Sequence, residues 1–204
     1  TTAGGVSVTS GAALEIQGGI TVGAEALTLN GTGISSGGAL RNISGTNSMS
    51  GAITLGSASR INSDSGTLTL TGGITGSGLA LTVGGAGNTT VSTSGLNTST
   101  SGTLTKDGTG TLTISASGDY TGATTVSAGV LNIQNATATG TTAGGVSVTS
   151  GAALEIQGGI TVGAEALTLN GTGISSAGAL RNISGTNSIS GAITLGAASR
   201  INSD

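Results

Sequence analysis

Residues 102–133 read GTLTKDGTGTLTISASGDYTGATTVSAGVLNI, and the alternation inside this stretch decides the fold. In Leu112-Thr113-Ile114 and again in Leu131-Asn132-Ile133, aliphatic side chains alternate with polar ones. That is the period of two of a strand with one face buried and the other in water.

The same pattern recurs outward in both directions, in Val6-Ser7-Val8, Leu14-Glu15-Ile16, Ile20-Thr21-Val22, Leu27-Thr28-Leu29, Ile53-Thr54-Leu55, Leu68-Thr69-Leu70 and Leu79-Ala80-Leu81-Thr82-Val83. Turns such as Gln17-Gly18-Gly19, Asn30-Gly31-Thr32-Gly33 and Gly84-Gly85-Ala86-Gly87 separate them. Glycine there supplies the positive φ that tight corners need. No stretch sustains a helical period, and Gly, Ser, Thr and Asn are poor helix interiors. The chain is therefore expected to be all-β.

Side-chain size narrows the architecture. Tyr120 is the only aromatic residue, whereas a sandwich or barrel normally fills a core ~10 Å thick with large rings. Inward Leu, Ile, Val and Ala suit a narrow core in which each coil stacks on the next. The chain has no Pro, as expected where every strand is hydrogen-bonded on both sides. Asn30, Asn42, Asn62, Asn88 and Asn132 fall at turns, where stacked coils could form amide ladders. We expect a right-handed parallel β-helix (β-solenoid) with roughly 20 to 27 residues per coil, the 204 residues spanning ~36–50 Å. The coil register is left open by irregular strands at 31–50 and 92–101.

Residues 1–64 return as residues 141–204 with three differences: Gly37 becomes Ala177, Met49 becomes Ile189 and Ser57 becomes Ala197. The unit is 140 residues, so residues 1–140 are one complete unit and 141–204 begin the next, with no separate globular domain expected. The sequence opens on Thr1 and stops mid-motif at Asp204, and we expect a window from a longer tandem array.

Composition excludes much chemistry. Gly (41), Thr (36) and Ser (28) fill half the chain, yet 35% of residues are apolar, which favours order over a linker. Without Cys there is no disulfide, thiolate or Cys-held metal, and without His the usual general base near neutrality is missing. Five cations against eight anions, with one aromatic, argue against nucleic acid as a partner. No apolar run approaches the ~20 residues that span a bilayer, and no signal peptide is visible.

Within 102–133, Gly110-Thr111-Leu112, Tyr120-Thr121-Gly122, Thr125-Val126 and Gly129-Val130-Leu131 follow one another. This succession resembles the autotransporter-associated β-strand repeat of bacterial surface proteins. Val130 sits where that family usually has a small or polar residue. The resemblance implies a parallel β-helix scaffold, secreted or displayed at the bacterial surface, with no catalytic residues of its own.

Several motifs invite a chemical reading. Gly33-Ile34-Ser35-Ser36-Gly37 matches the nucleophile elbow, but no His exists to accept the serine proton and Ala177 breaks the pattern in the second copy. Gly84-Gly85-Ala86-Gly87-Asn88 is like the calcium-binding nonapeptide, with Thr89 where a ligand Asp would stand. Glu15, Glu25, Asp64, Asp107 and Asp119 are dispersed, as are Arg41, Arg60 and Lys106, and are expected to be solubilising outward charges. Glu15 and Glu25 on neighbouring strands would make a glycosidase-like pair. Lys106-Asp107-Gly108 reads as a charged turn. Thr67-Leu68-Thr69-Leu70-Thr71, Thr103-Leu104-Thr105 and Thr111-Leu112-Thr113 would form hydroxyl ladders like those of ice-binding solenoids, although Thr is also the commonest polar strand former.

Taken together, no catalytic, cofactor-binding or metal-binding residue is assigned, and no cofactor is expected. The expected role is structural: a stiff extracellular fibre or stalk that assembles with itself, laterally or end to end. An adhesin shaft that binds a cell surface or glycans is the alternative.

Overall fold

The computed structural model describes residues 4–204, so Thr1–Ala3 of the first unit lie outside the described residues. The strands wind into a parallel β-solenoid of nine turns, and every strand pairing is parallel. The turns lay strands on three successive faces, except that the sixth and seventh carry none on the first face. Val6–Val8, Leu14–Gln17 and Thr21–Val22 form the first turn, and Leu27–Gly31, Leu40–Ser44 and Thr46–Met49 stack on them. In the third turn one strand, Ile53–Ser63, serves the first two faces: Ile53 pairs with Leu27, and Ile61 with Leu40.

Faces two and three carry unbroken ladders of nine strands. Inward positions form columns along the axis. On face two the register links Leu14, Leu40, Ile61, Val83, Lys106, Val126, Val148, Leu169 and Leu195. Every interior strand thus covers, and is covered by, aliphatic side chains that no single turn could bury alone. Outward positions are largely hydroxyls, with Thr82, Thr105, Thr125, Ser147, Thr168 and Thr194 in register on face two.

Away from bulges, the chain advance per turn varies from 19 residues (Thr113 to Asn132) to 27 (Thr21 to Ser48). The longest turns contain the excursion through the 3₁₀ turn Ile34–Ser36 or its copy Ile174–Ser176. Variable corners, not variable strands, kept the coil register hidden in the sequence.

The two copies of the repeat do not occupy the same faces. Val6–Val8 lies on face one of the first turn, whereas its copy Val146–Val148 lies on face two of the seventh. Leu14–Gln17 on face two likewise becomes Ala153–Gln157 on face three. One 140-residue unit therefore advances the solenoid by six turns and one further face.

The expected amide ladders are not built. The register sets Asn42 beside Ser63, Asn88 beside Thr67 and Asn132 beside Thr113 and Glu155, so no Asn of that set stacks on another. The buried pair is instead Asn42 with Asn47, within one turn, whose Nδ2 donates to the Asn42 Oδ1. The apolar stretch at Leu79 also begins its strand later than expected, at Leu81–Gly84.

Candidate functional site

The charged residues, dispersed in sequence, are gathered by the winding. Arg41 Nη1 donates to Glu15 Oε1 (3.1 Å) and its Nε to Asp64 Oδ2 (2.8 Å), so three successive turns share one cation. The second copy repeats this set as Arg181 with Glu155 (2.8 Å) and Asp204. Arg60 reaches over an intervening turn to Asp107, with Nη1–Oδ2 at 2.7 Å and Nη2–Oδ1 at 2.8 Å. Gly84 lies beneath this bridge. A Cβ there would sit 1.8 Å from Asp107 Oδ1, so only glycine leaves the gap that the pair spans.

Lys106 corrects the expectation of an outward charge. Its side chain fills a position of the aliphatic column between Val83 and Val126 and is 2% exposed. The ammonium turns into the corner and donates to three backbone carbonyls, of Asp107 (2.6 Å), Gly108 (2.9 Å) and Ala128 (3.2 Å). A long alkyl stem serves the core while the charge satisfies corner carbonyls that no strand reaches. Burial pushes its pKa down to about 8, opposed by a smaller upward pull from Asp107 and helped by the Arg60 cation.

Tyr120 is also fully enclosed. Its hydroxyl lies 2.7 Å from Thr124 Oγ1, and burial raises its pKa far enough to hold it as a neutral phenol.

Glu15 and Glu25 both border the apolar hollow at the N-terminal end of the bore, beside Leu14, Ile16 and Val22. Their copies have different partners: Glu155 pairs with Arg181, and Glu165 Oε2 accepts from Thr139 Oγ1 at 2.6 Å. Glu165 is 4% exposed, and burial raises its pKa despite the hydrogen bond from Thr139. Its role was not readable in advance, because the partner belongs to the tail of the preceding unit.

Gly33 to Gly37 forms a 3₁₀ turn with Ser35 in the left-handed region (φ 50°). Gly84 and Gly85 form a corner, where a Cβ on Gly85 would lie 1.9 Å from Ser63 O. The T-x-T segments align only in part: on face three Thr69, Thr90 and Thr113 form one column while Thr67 stands beside Asn88, and Thr105 lies on face two with Thr82 and Thr125. Among the described residues no three His, Cys, Asp or Glu side chains converge.

Residues 104–133 cover the strands Leu104–Lys106, Thr111–Ile114, Thr124–Val126 and Val130–Ile133 on faces two and three of the fifth and sixth turns. Tyr120 packs inside the corner between them. These same residues match the family described as the passenger-associated-transport-repeat. No curated protein and no solved structure matches the chain. Residues 104–133 are thus similar to the passenger-associated-transport repeat, and the parallel β-solenoid that carries them fits the autotransporter-associated β-strand repeat family.

Proposed function

We propose that this chain is a load-bearing segment of a secreted or surface-displayed autotransporter passenger, a stiff stalk that associates side by side with its own kind and performs no catalysis. The observation that carries the reading is the uninterrupted parallel ladder of nine strands on each of two faces, closed over a continuous aliphatic column. Each unit of six turns and one face rises about 30 Å at ~4.8 Å per turn, so repeat number sets reach.

Lateral association follows from the surface. Residues 1–140 carry three cations and five anions, a net charge of −2. Arg41 and Arg60 are engaged with carboxylates, and Lys106 is inside. Little field remains to hold rods apart, while outward Thr and Ser columns offer flat hydroxyl faces at the spacing of a neighbouring rod's own columns.

Concentration-series scattering tests this. Bundles are expected to grow with concentration and to disappear when Thr105, Thr125 and Thr168 are changed to Lys. Rods that stay single at the highest concentration would sink the association.

A further inference from the structure

Face one is the only face whose ladder breaks. Strands run down it to Leu96–Asn97, and an isolated bridge continues to Gly118. Residues 137–141 carry the next turn through single hydrogen bonds, Gly118 N to Thr137 O and Thr141 N to Tyr120 O. Regular pairing resumes only at Thr161–Val162 with Ser188–Ile189. Local opening concentrates where backbone pairing is sparse, and this break falls where one unit hands over to the next.

Glu165 stands against that sparse segment. It follows the strand Thr161–Val162, and its carboxyl is held on one side only, by Thr139 Oγ1 donating to Oε2 at 2.6 Å. Oε1 has no hydrogen-bond partner and is closed to solvent. The side chains packed inward of the carboxyl are aliphatic: Ile133, Val146, Leu154, Val162, Leu167 and Ile189. Its outer side is walled by Gly, Ala and Thr, again without a charge. Tyr120, in the turn below residues 137–141, is the titratable group that feels its charge, and burial keeps that phenol neutral. No Lys, Arg, Asp or second Glu stands among these groups.

An ionised Glu165 in this closed arrangement would be a buried charge with one hydrogen bond and no counter-ion, which is strongly unfavourable. A proton removes the charge, and the unpaired oxygen that remains is a neutral one, far less costly to bury. Ionisation becomes favourable only if residues 137–141 lift away and return the carboxylate to water. We propose that the junction between successive units is a proton-controlled hinge, held shut while Glu165 is protonated and released to open when Glu165 ionises. The tail of the preceding unit is the moving part. Gly191 of the following turn packs so closely that a Cβ there would lie 1.7 Å from the Glu165 carbonyl oxygen, which pins the Glu165 side.

The direction with pH follows. Burial raises the Glu165 pKa, opposed by the hydrogen bond from Thr139. The shut junction therefore binds the proton more tightly than the open one. Closure is complete below the ordinary glutamate value of about 4.3 and is lost as pH rises from there through the raised one. Glu25, the first-copy equivalent, lies at the N-terminal end of the bore and is only half-buried, so the device belongs to the junction and not to the local sequence.

The test is amide hydrogen exchange of the 204-residue protein between about pH 4 and about pH 7, corrected for the intrinsic exchange rate at each pH. The Gly118 and Thr141 amides, whose hydrogen bonds close the junction, should lose protection as pH rises, while amides inside the face-two and face-three ladders keep theirs. Glu165→Gln, neutral at every pH, should hold the junction protected throughout. Thr139→Val, which removes the hydrogen bond that favours the anion, should extend the loss to higher pH, and Glu25→Gln should change nothing. The chemical shift of the Glu165 carboxyl carbon follows the same proton in the native protein, without any substitution. Junction protection that is flat with pH, a pH dependence that Glu165→Gln retains, or a Glu165 carboxyl that titrates at or below the ordinary glutamate value would each overturn the hinge.

Discussion

Leu55 and Leu195 are the same residue of the repeat, flanked by nearly the same sequence, yet the structure gives them opposite surroundings. Leu55 is 3% exposed, with Gly76 of the following turn closing over it; Leu195 is 58% exposed. If stability comes from turn covering turn, truncating each to Ala isolates that covering. Leu55→Ala removes a buried side chain and leaves a cavity, which should destabilise the protein by about 2–5 kcal/mol. Leu195→Ala loses little covered surface and should stay within about 0.5 kcal/mol. Ile61 and Ile201 form a second pair, at 0% and 54% exposure, with the same expectation. Urea unfolding followed by circular dichroism measures both, with the slope compared to detect an end turn that frays separately. Equal losses at the two positions would refute the reasoning, because local strand character would then outweigh stacking.

Three further outcomes follow from the charged and enclosed groups. Gly84→Ala should push Asp107 away from Arg60 and lower stability by about 1–2 kcal/mol, and Asp107→Asn added to it should then have almost no further effect in a double-mutant cycle. The Lys106 ammonium has its pKa lowered to about 8 in the folded chain. The unfolded chain therefore binds that proton more tightly, and stability should rise as pH climbs above about 8 toward the ordinary lysine range. Unfolding midpoints against pH should show that rise in the native protein and not in Lys106→Met. Tyr120→Phe removes the hydroxyl 2.7 Å from Thr124 and should destabilise by about 1 kcal/mol, read from the thermal midpoint.

The strands were legible because their signal is local. Leu112-Thr113-Ile114 declares its buried side within three residues, and the structure buries Leu112 and Ile114 as that period requires. Lys106 carries the same local signal, since counting by two from buried Leu104 lands on it. Charge suggested solvent, but the column between Val83 and Val126 accepts a long alkyl stem, and the corner carbonyls accept the ammonium. The coil register was beyond local reading, since the excursion at Ile34–Ser36 lengthens some turns without altering any strand. Glu165 was hidden for a related reason. Its twin Glu25 has the same neighbours in sequence, whereas Glu165 accepts a hydrogen bond from Thr139 of the preceding unit.

The central claim is a three-faced parallel solenoid in which 140 residues make six turns and one face more. A crystal structure of the 204-residue protein tests it most directly. The account predicts a ladder with ~4.8 Å between turns, in which Val6–Val8 and Val146–Val148 lie on adjacent faces and the Ile34 and Ile174 turns project from adjacent corners. Both copies on one face, or a compact particle without the ladder, would contradict it.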